Sequence, residues 1–522
     1  MFSHKRRTGA MALVATSAML LTACGGTSAS DSSSDGSTAS AGGDSNGTIN
    51  AAVAYSTKNF DPVGSSSALA LGANWHVMEG LYDLDMHNFE PYAALAKDEP
   101  KEISDTEYEV TLRDDAKFSD GTPVTADDVV FSAEKNMDNG LYASMLSFID
   151  SVTKKDDSTV TIKLKYPFSL MKNRLSLIKI VKSSQTDEER TTMPIGTGPW
   201  MYKSIDEKEL QFVPNPNYNG SLPAKAGAMN FSIIQDDVAR TTAMQGGTVD
   251  VMESVPNQSR AVLESAGAKI EEVQGFNLPF LMFNTKKAPY NDEKVRQAFF
   301  YAIDTDKLID DAMHGEATPA KSFLPENHPN YHEASNVFNH DTDKAKSLLQ
   351  EGKAEGLEVN LLTTDHPWIT ALVPQIKQDL EAAGLTVNVN SMASAALYKQ
   401  KTAGDNPEFD VVLAPGDPSV FGNDPDLLMN WWYGPGAWTK ERSGWYGSDG
   451  YNELHKHMDA AARATGNEQQ EEWNKAFDIL SEQVPLYPLF HRQVVTAYNT
   501  DKVSGYQPIS TTGLDFLDAS AK

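Results

Sequence analysis

A strand–helix–strand pattern between residues 359 and 389 restricts the fold of this 522-residue chain more than any other feature. Residues 359–362 form a short apolar run, and residues 385–389 alternate between apolar and polar. The apolar residues between them recur at helical spacing until Gly384: Ile369, Leu372, Val373, Ile376 and Leu380. Strand, helix and strand in this order predict a βαβ unit. We therefore interpret residues 290–480 as an α/β lobe.

Other segments predict elements outside this unit. Residues 108–112 and 160–164 alternate strictly between apolar and polar, which is typical of half-buried antiparallel strands. Between them, Thr125 stands three residues before Asp128 and an apolar run follows, as in a capping box that begins a helix. The apolar residues of 295–303 lie at helical spacing and predict another helix.

The first residues of the chain indicate export. A basic stretch at 5–7 precedes an apolar run at 11–21, which is too short to span a membrane and is typical of a secretory signal. Small residues then precede Cys24, and this arrangement resembles the lipobox of bacterial lipoproteins. We expect a signal peptide at 1–23 and a diacylglycerol on Cys24 that anchors the protein to the outer face of the bacterial cell membrane.

Composition limits the remaining classes of function. Residues 24–47 are mainly Gly, Ser, Ala, Thr, Asp and Asn, which predicts a flexible linker behind the lipid anchor. Cys24 is the only cysteine, so no internal disulfide forms. The net charge of −28 disfavours nucleic-acid binding, which needs a basic surface, and we interpret it as a solvated exterior.

Several motifs follow one another in the order in which they occur in a known family. The longest is residues 112–132 (LRDDAKFSDGTPVTADDVVFS). The others are 59–62 (NFDP), 78–82 (MEGLY), 194–200 (PIGTGPW), 215–218 (NPNY), 245–251 (QGGTVDV), 289–298 (PYNDEKVRQA) and 484–490 (VPLYPLF). Together they resemble the large solute-binding proteins of ABC importers, the peptide- and nickel-binding class called family 5. The resemblance extends from about residue 50 to the C-terminus.

The resemblance implies an α/β, two-lobed periplasmic-binding-protein fold, with a hinge between the lobes and an extra subdomain inserted in the first. The chain would cross between lobes near 283–285 and return near 488–490. The expected division assigns 48–90, 194–284 and 490–522 to lobe I, 91–193 to the inserted subdomain and 285–489 to lobe II.

The implied function is that of an extracytoplasmic solute-binding subunit. It would capture a short peptide, or a similar small polar solute, in the cleft between lobes and deliver it to an ABC permease in the membrane. We expect a monomer that is not an enzyme, with no catalytic residues, no cofactor and no metal.

Family members also indicate pocket residues in both lobes. The first-lobe motif at 78–82 implies that Glu79, Leu81 and Tyr82 line the pocket, although Glu79 is equally explained by a helix cap or by pairing with a core arginine. In the second lobe, Tyr398 stands at a pocket position of the family. If the Glu79 carboxylate is desolvated in the cleft, it is a candidate partner for a positively charged or hydroxyl group of the solute.

The second lobe departs from the peptide-binding pattern after Asp410. Peptide binders continue into a Gly-Trp segment and an aspartate that pairs with the peptide ammonium, whereas residues 411–426 lack the tryptophan. Pro415 and Asp417 are the candidates here, and Asp417 is equally explained as a turn residue before Pro418. Among the nearby aromatic residues, Trp431 and Trp432 suit stacking on a solute, although aromatic residues more often form core.

The sequence leaves three alternatives open. The aromatic residues and the missing tryptophan favour an oligosaccharide in the same fold. Nickel capture would need His455 and His457 on one helix face, but residues two apart point about 200° from each other. A lipid-anchored hydrolase is the alternative from another class. Against it, the sequence has no GxSxG motif, and His332-Glu333 is followed by Asn336 where HExxH needs a second histidine.

Overall fold

The computed structural model describes residues 46–138, 141–403 and 407–522, all within one compact unit that spans 43–522. The expected signal peptide, Cys24 and residues 24–45 of the expected linker lie outside the described residues. The strands described are β1 (Thr48–Val53), β2 (Tyr82–Leu84), β3 (Pro91–Ala93), β4 (Lys101–Ser104), β5 (Glu107–Thr111), β6 (Ile149–Lys154), β7 (Thr159–Leu164), β8 (Trp200–Ile205), β9 (Glu209–Pro214), β10 (Ala228–Ile233), β11 (Val251–Met252), β12 (Lys269–Gln274), β13 (Leu278–Phe283), β14 (Ala317–Pro319), β15 (Glu358–Thr364), β16 (Thr386–Met392), β17 (Val411–Gly416), β18 (Leu486–Pro488), β19 (Phe490–Tyr498), β20 (Val503–Ser504) and β21 (Ser520–Ala521).

Helices cover the sheets and connect the strands. The α-helices described are α1 (Ala68–Val77), α2 (Ala126–Met137), α3 (Met171–Leu175), α4 (Asp187–Thr192), α5 (Asp237–Gln245), α6 (Arg260–Ser265), α7 (Glu293–Ala302), α8 (Thr305–Ala312), α9 (Thr342–Glu351), α10 (Pro367–Ala382), α11 (Ser394–Leu397), α12 (Pro425–Tyr433), α13 (Asp449–Arg463) and α14 (Gly466–Gln483). Short 3-10 turns lie at Asn257–Ser259 and Pro418–Phe421, and π-helical turns lie at Tyr398–Thr402 and Trp438–Arg442. In the part of the chain described, no helix is long and apolar enough to cross a bilayer.

The larger sheet has the strand order β12-β19-β11-β1-β10-β9-β8, and β14 pairs with the first residues of β19. Its centre is parallel, because β1 runs in the same direction as β10 and β11. The side chains of Trp200, Phe212 and Phe231 are buried from water together with Leu69 and Ala73 of α1. This apolar layer fixes α1 against one face of the sheet.

The second sheet has the order β16-β15-β17-β13-β18 and contains the predicted βαβ unit. Strands β15 and β16 pair in parallel with Val359 opposite Val387, and α10 connects them, as the sequence predicts. The helix predicted over 295–303 is α7, and its N-cap Asp292 accepts a hydrogen bond from the backbone N–H of Lys294 at 2.9 Å. The strongest periodic patterns in the sequence therefore form the frame of this lobe.

A four-stranded antiparallel sheet with the order β4-β5-β7-β6 lies within residues 101–164. The two alternating segments pair directly, as β5 and β7, with Val110 opposite Val160. Between them α2 begins as predicted, because the Asp128 carboxylate accepts the backbone N–H of Thr125 at 3.1 Å. Tyr142 of this region packs edge to face on Phe421 of the second lobe at 5.7 Å, so their apolar cores are continuous.

Two short connections, from β12 to β13 and from β18 to β19, run between the two large sheets, and the chain also reaches the larger sheet through β14. The second of these connections lies at Leu489, between β18 and β19, and the predicted return of the chain between lobes is near 488–490. The first crossing lies at residues 275–277, between β12 and β13, because β13 already belongs to the second sheet. The sequence places this crossing later, at 283–285. The six residues of β13 are all buried, as a strand covered on both faces requires. The other expected lobe boundaries stay predictions.

Candidate functional site

The carboxyl ends of strands from both large sheets meet beside the two crossings. β1 of the first sheet ends shortly before Tyr55, and β15 and β17 of the second end shortly before Trp368 and Asp417. The guanidinium of Arg492, on β19, lies 4.2 Å from the centre of the Trp368 ring, and its charge interacts with Tyr55 and Asp417. Ligands of open α/β sheets bind in the crevice outside such strand ends. We call the space between these four residues the interlobe cleft.

Asp417 lies at the end of β17, beside this cleft, and its carboxylate is hydrogen-bonded to the C-terminal segment. Its carboxylate accepts the backbone N–H and the hydroxyl of Thr512, at 3.0 Å and 2.6 Å, and the hydroxyl of Thr511 at 3.4 Å. The hydroxyl of Ser419 donates to the other carboxylate oxygen. Burial raises the pKa of Asp417, and these hydrogen bonds act in the opposite direction. The carboxylate therefore connects the end of β17 to the C-terminal segment. A contact with the solute stays a prediction.

The neighbouring tryptophans have different environments. Trp432 is only 2% exposed and lies among the rings of Phe276, Phe280 and Phe323. It occupies the space beside Gly416, where a Cβ atom would lie 2.3 Å from the Trp432 ring. In this structure Trp432 is a core residue.

Trp431 and Pro415 are half-buried beside this core. Trp431 contacts the ring of Phe421, with 5.1 Å between the ring centres. Pro415 lies opposite Pro279 in the pairing of β17 with β13. Both residues keep an accessible surface, and their contact with a solute stays a prediction.

The first-lobe candidates lie beneath the inserted sheet. The Glu79 carboxylate accepts a hydrogen bond from the guanidinium of Arg113 at 2.8 Å, so the pairing with a core arginine is present. Burial raises the pKa of Glu79 to about 7, although Arg113 lowers it. Leu81 and Tyr82 are both buried, and the Tyr82 hydroxyl donates to the backbone carbonyl of Asp98 at 2.8 Å. These contacts hold the motif in place, and solute binding by its residues stays a prediction.

Tyr398 belongs to a small aromatic cluster in the second lobe. Its ring meets that of Trp438 edge to face at 5.3 Å, and the guanidinium of Arg442 lies 4.4 Å and 4.1 Å from the two ring centres. Trp438 also packs on Phe280 of β13. The cluster is a cation–π site that the protein fills with its own arginine.

A cavity of about 50 Å³ lies where the first lobe, the inserted sheet and the second lobe meet. Its lining includes Trp75 of α1, Leu84 of β2, Met86, Tyr142 and Phe421. This lining is largely apolar and aromatic, but the cavity is far smaller than the about 300–1,000 Å³ that is typical of a solute pocket.

Sequence reasoning missed several residues at these junctions. Arg174 of α3 has no exposed side-chain surface and donates to Asp424 twice at 2.8 Å and to Asp426 at 2.7 Å. Trp368 and Arg492 at the cleft were missed as well. For Trp368 the available signal was its position just after a predicted strand.

The two histidines considered for nickel have separate partners. His455 Nε2 lies 2.8 Å from the backbone carbonyl of Tyr433, whereas His457 Nδ1 pairs with the Glu472 carboxylate at 2.5 Å. Across residues 46–138, 141–403 and 407–522, no three His, Cys, Asp or Glu side chains are grouped as a metal site requires.

Comparisons with known proteins agree on one family. Residues 90–440 match the model of the bacterial extracellular solute-binding proteins, family 5 (middle part). A probable D,D-dipeptide-binding periplasmic protein of Escherichia coli K12 is 25% identical over 418 residues, covering 77% of this chain and 79% of the relative. A glutathione-binding protein of Pectobacterium atrosepticum is 26% identical over 486 residues, covering 90% and 93%.

Solved structures show the same fold. The dipeptide-binding protein of Pseudoalteromonas sp. SM9913, solved in complex with Met-Leu, superimposes with a TM-score of 0.80 at 20% identity, over 91% of this chain and 100% of that one. The oligopeptide-binding protein of Bacillus subtilis, solved with a nonapeptide, gives 0.78 at 20% identity, over 92% and 100%. The expected two-lobed periplasmic-binding-protein fold is confirmed.

Proposed function

Because the chain belongs to the bacterial extracellular solute-binding proteins, family 5, we propose that it captures a short peptide in the interlobe cleft and delivers it to an ABC permease. The relatives named for dipeptides and glutathione support a peptide or a similar small polar solute. The protein acts by binding alone, without turnover of the solute.

The observation that carries this proposal is the convergence of strand ends from both large sheets at Tyr55, Trp368, Asp417 and Arg492. Contacts made to both lobes at once stabilise the closed form, because they exist only when the lobes meet. The hydrogen bonds of Asp417 to Thr511 and Thr512 are of this kind. A solute between the lobes adds further contacts to the same closed form.

Calorimetric titration tests the solute class. The purified protein is titrated with di- to pentapeptides and, in parallel, with mono- to tetrasaccharides. We expect micromolar or tighter binding of peptides, no heat from the sugars and intact peptide recovered afterwards. Tight binding of sugars with silent peptides would establish the oligosaccharide alternative instead, and cleaved peptide would show an enzyme.

We further propose that Cys24 carries the lipid that holds the protein at the outer face of the cell membrane. The support is the basic and apolar leader before a small-residue motif that ends at this cysteine. Cys24→Ala is expected to move the protein from the membrane fraction to the soluble fraction. Wild-type protein without an acyl mass increase on Cys24 would contradict the anchor.

A monomer is sufficient for this function, because both lobes of the cleft come from one chain. Size-exclusion chromatography with light scattering is expected to give the mass of a single chain, close to 57.0 kDa before processing. A stable dimer at micromolar concentration would contradict this expectation.

A further inference from the structure

The acceptor sites of the Asp417 carboxylate are filled by donors of the protein itself. The backbone N–H and the hydroxyl of Thr512 donate to one carboxylate oxygen at 3.0 Å and 2.6 Å, and the Thr511 hydroxyl reaches the same oxygen at 3.4 Å. The hydroxyl of Ser419 donates to the other oxygen. An ionised carboxylate has about four acceptor sites, so these four donors match them in number.

The segment at residues 511–512 is held against the larger sheet. Phe516, a few residues further on, is buried and packs on Phe231 of β10, with 5.7 Å between the ring centres. Its backbone N–H donates to Nε2 of the buried His76, on α1, at 2.9 Å. Asp417, in contrast, directly follows β17 of the second sheet. The hydrogen bonds from residues 511–512 to Asp417 therefore run between parts of the molecule that belong to different sheets.

The side chains that donate to Asp417 are shielded from water. Ser419 and Thr511 are 1% and 0% exposed, and Thr512 is 8% exposed. The hydroxyls of Ser419 and Thr511 also bond to each other at 2.7 Å. A buried hydroxyl without a partner is costly, and hydrogen bonds to a charged group are stronger than neutral ones. The contact with Asp417 therefore favours the form in which the two sheets are close together.

A solute amino group has little to gain at Asp417. The guanidinium of Arg492 already supplies a positive charge that interacts with that of Asp417. An amino group would also have to displace one of the four donors and would leave a buried hydroxyl without its acceptor. One hydrogen bond to the carboxylate would replace another, so the net affinity gained would be small.

We propose that Asp417 with its donors Ser419, Thr511 and Thr512 forms a latch between the second sheet and the C-terminal segment, and that Asp417 does not bind the amino group of the solute. The latch stabilises the closed form for every solute. Asp417 therefore sets how tightly solutes bind without selecting those that carry a free amino group. This inference rests on the proposed capture of a small solute between the lobes and adds the role of this carboxylate.

Small-angle X-ray scattering tests the latch without any solute. The radius of gyration of the Cys24→Ala protein rises when the lobes separate. We expect Asp417→Asn and Thr512→Val in this background to raise it, and Thr512→Ser to leave it unchanged because serine keeps the hydroxyl. Asp343→Asn is the matched control, since it removes one negative charge at an exposed site of α9. Thermal unfolding verifies that each variant is folded.

Calorimetric titration tests the amino group. Each tripeptide that binds is compared with its N-acetyl form. We expect Asp417→Asn to weaken the binding of both forms by the same factor, about tenfold, and Thr512→Val to weaken both about fivefold. The reason is that a smaller closed fraction lowers the affinity for every solute equally. Thr512→Ser and Asp343→Asn should bind both forms as tightly as wild type.

The outcomes separate this inference from the proposed function. A loss in Asp417→Asn that is confined to peptides with a free amino group would overturn the inference and leave peptide capture intact. Wild-type affinity of Asp417→Asn for both forms, or an unchanged radius of gyration, would overturn it as well. If no peptide binds, peptide capture fails and scattering alone decides. A larger radius in Thr512→Val but not in Thr512→Ser would then uphold the latch, and equal radii would overturn it.

Discussion

Arg174 and Arg492 lie at junctions between parts of the protein, and their surroundings are opposite. Arg174 is fully buried and shares its charge with two aspartates, Asp424 and Asp426, at hydrogen-bond distance. Arg492 is half-buried and has an aromatic ring but no ion pair among the residues described. Removing one partner of a buried ion pair leaves the other charge uncompensated, so Arg174 is costly to replace, whereas Arg492 interacts with Asp417 and Glu316 without forming an ion pair.

Arg174→Met should have the largest effect on stability. The substitution leaves two aspartates buried without a counter-charge, and we expect the free energy of unfolding to fall by about 3–5 kcal/mol. Chemical unfolding followed by circular dichroism measures this loss. Arg463→Met, at an exposed arginine, is the control and should cost less than about 1 kcal/mol. A similar small loss for both variants would show that the Arg174 cluster is not compensated as described.

The Glu79–Arg113 pair should make the free energy of unfolding depend on pH, with an effect smaller than that of Arg174→Met. Burial raises the pKa of Glu79 from 4.5 to about 7, so the folded state retains a proton that the unfolded state loses. This contribution to stability is full below pH 4.5 and is lost as the pH rises through 7. The free energy of unfolding of wild type, relative to Glu79→Gln, should fall by on the order of 2 kcal/mol between pH 4.5 and pH 8. A rise over the same range would mean that Arg113 fully compensates the carboxylate.

Thr512→Val tests the hydrogen-bonded junction at Asp417. It removes the 2.6 Å hydrogen bond to Asp417 but keeps the backbone N–H that donates at 3.0 Å, so we expect a loss of about 1 kcal/mol. Thermal unfolding of the variant, beside Thr500→Val at an exposed threonine, measures the difference. Equal stability of the two variants would show that the hydroxyl adds nothing to the junction.

Arg492→Met should have the smallest effect on stability. It removes a cation that forms no ion pair among the residues described, and the lost stacking on Trp368 is offset by the relief of desolvation, so we expect a change within about 0.5 kcal/mol. The same unfolding measurement as for Arg174→Met provides the direct comparison. A loss above about 2 kcal/mol would place Arg492 with the structural arginines.

The parts of the fold that the sequence predicted are those with a strong internal period. Their apolar residues recur at the spacing that places them on one face of a helix or strand. This holds for the unit of β15, α10 and β16, for the helix α7 and for the pair of β5 with β7. Strand β13 was assigned to the wrong side of the crossing because all six of its residues are apolar. A strand without alternation does not reveal which sheet covers it.

Site residues could be predicted from the sequence only where the residue type alone suggests binding, as it does for a tryptophan. Trp431 and Trp432 are adjacent on α12, about 100° apart around its axis, so one side chain enters the core while the other stays half-buried. No sequence pattern decides which is which. Arg492 lies in a strand without a distinctive sequence pattern. It forms no ion pair because Glu316 pairs with Arg260 and Asp417 accepts hydrogen bonds from Thr512, and the sequence does not reveal these contacts.

The two crossings between the lobes are cross-linked by their own backbones. The N–H of Arg492, just after the return at Leu489, donates to the carbonyl of Asn277 in the first crossing at 2.7 Å. The N–H of Leu489 donates to the carbonyl of Pro279 at 3.0 Å. Because these hydrogen bonds hold the two connections together, a hinge motion of the lobes would bend both connections at once.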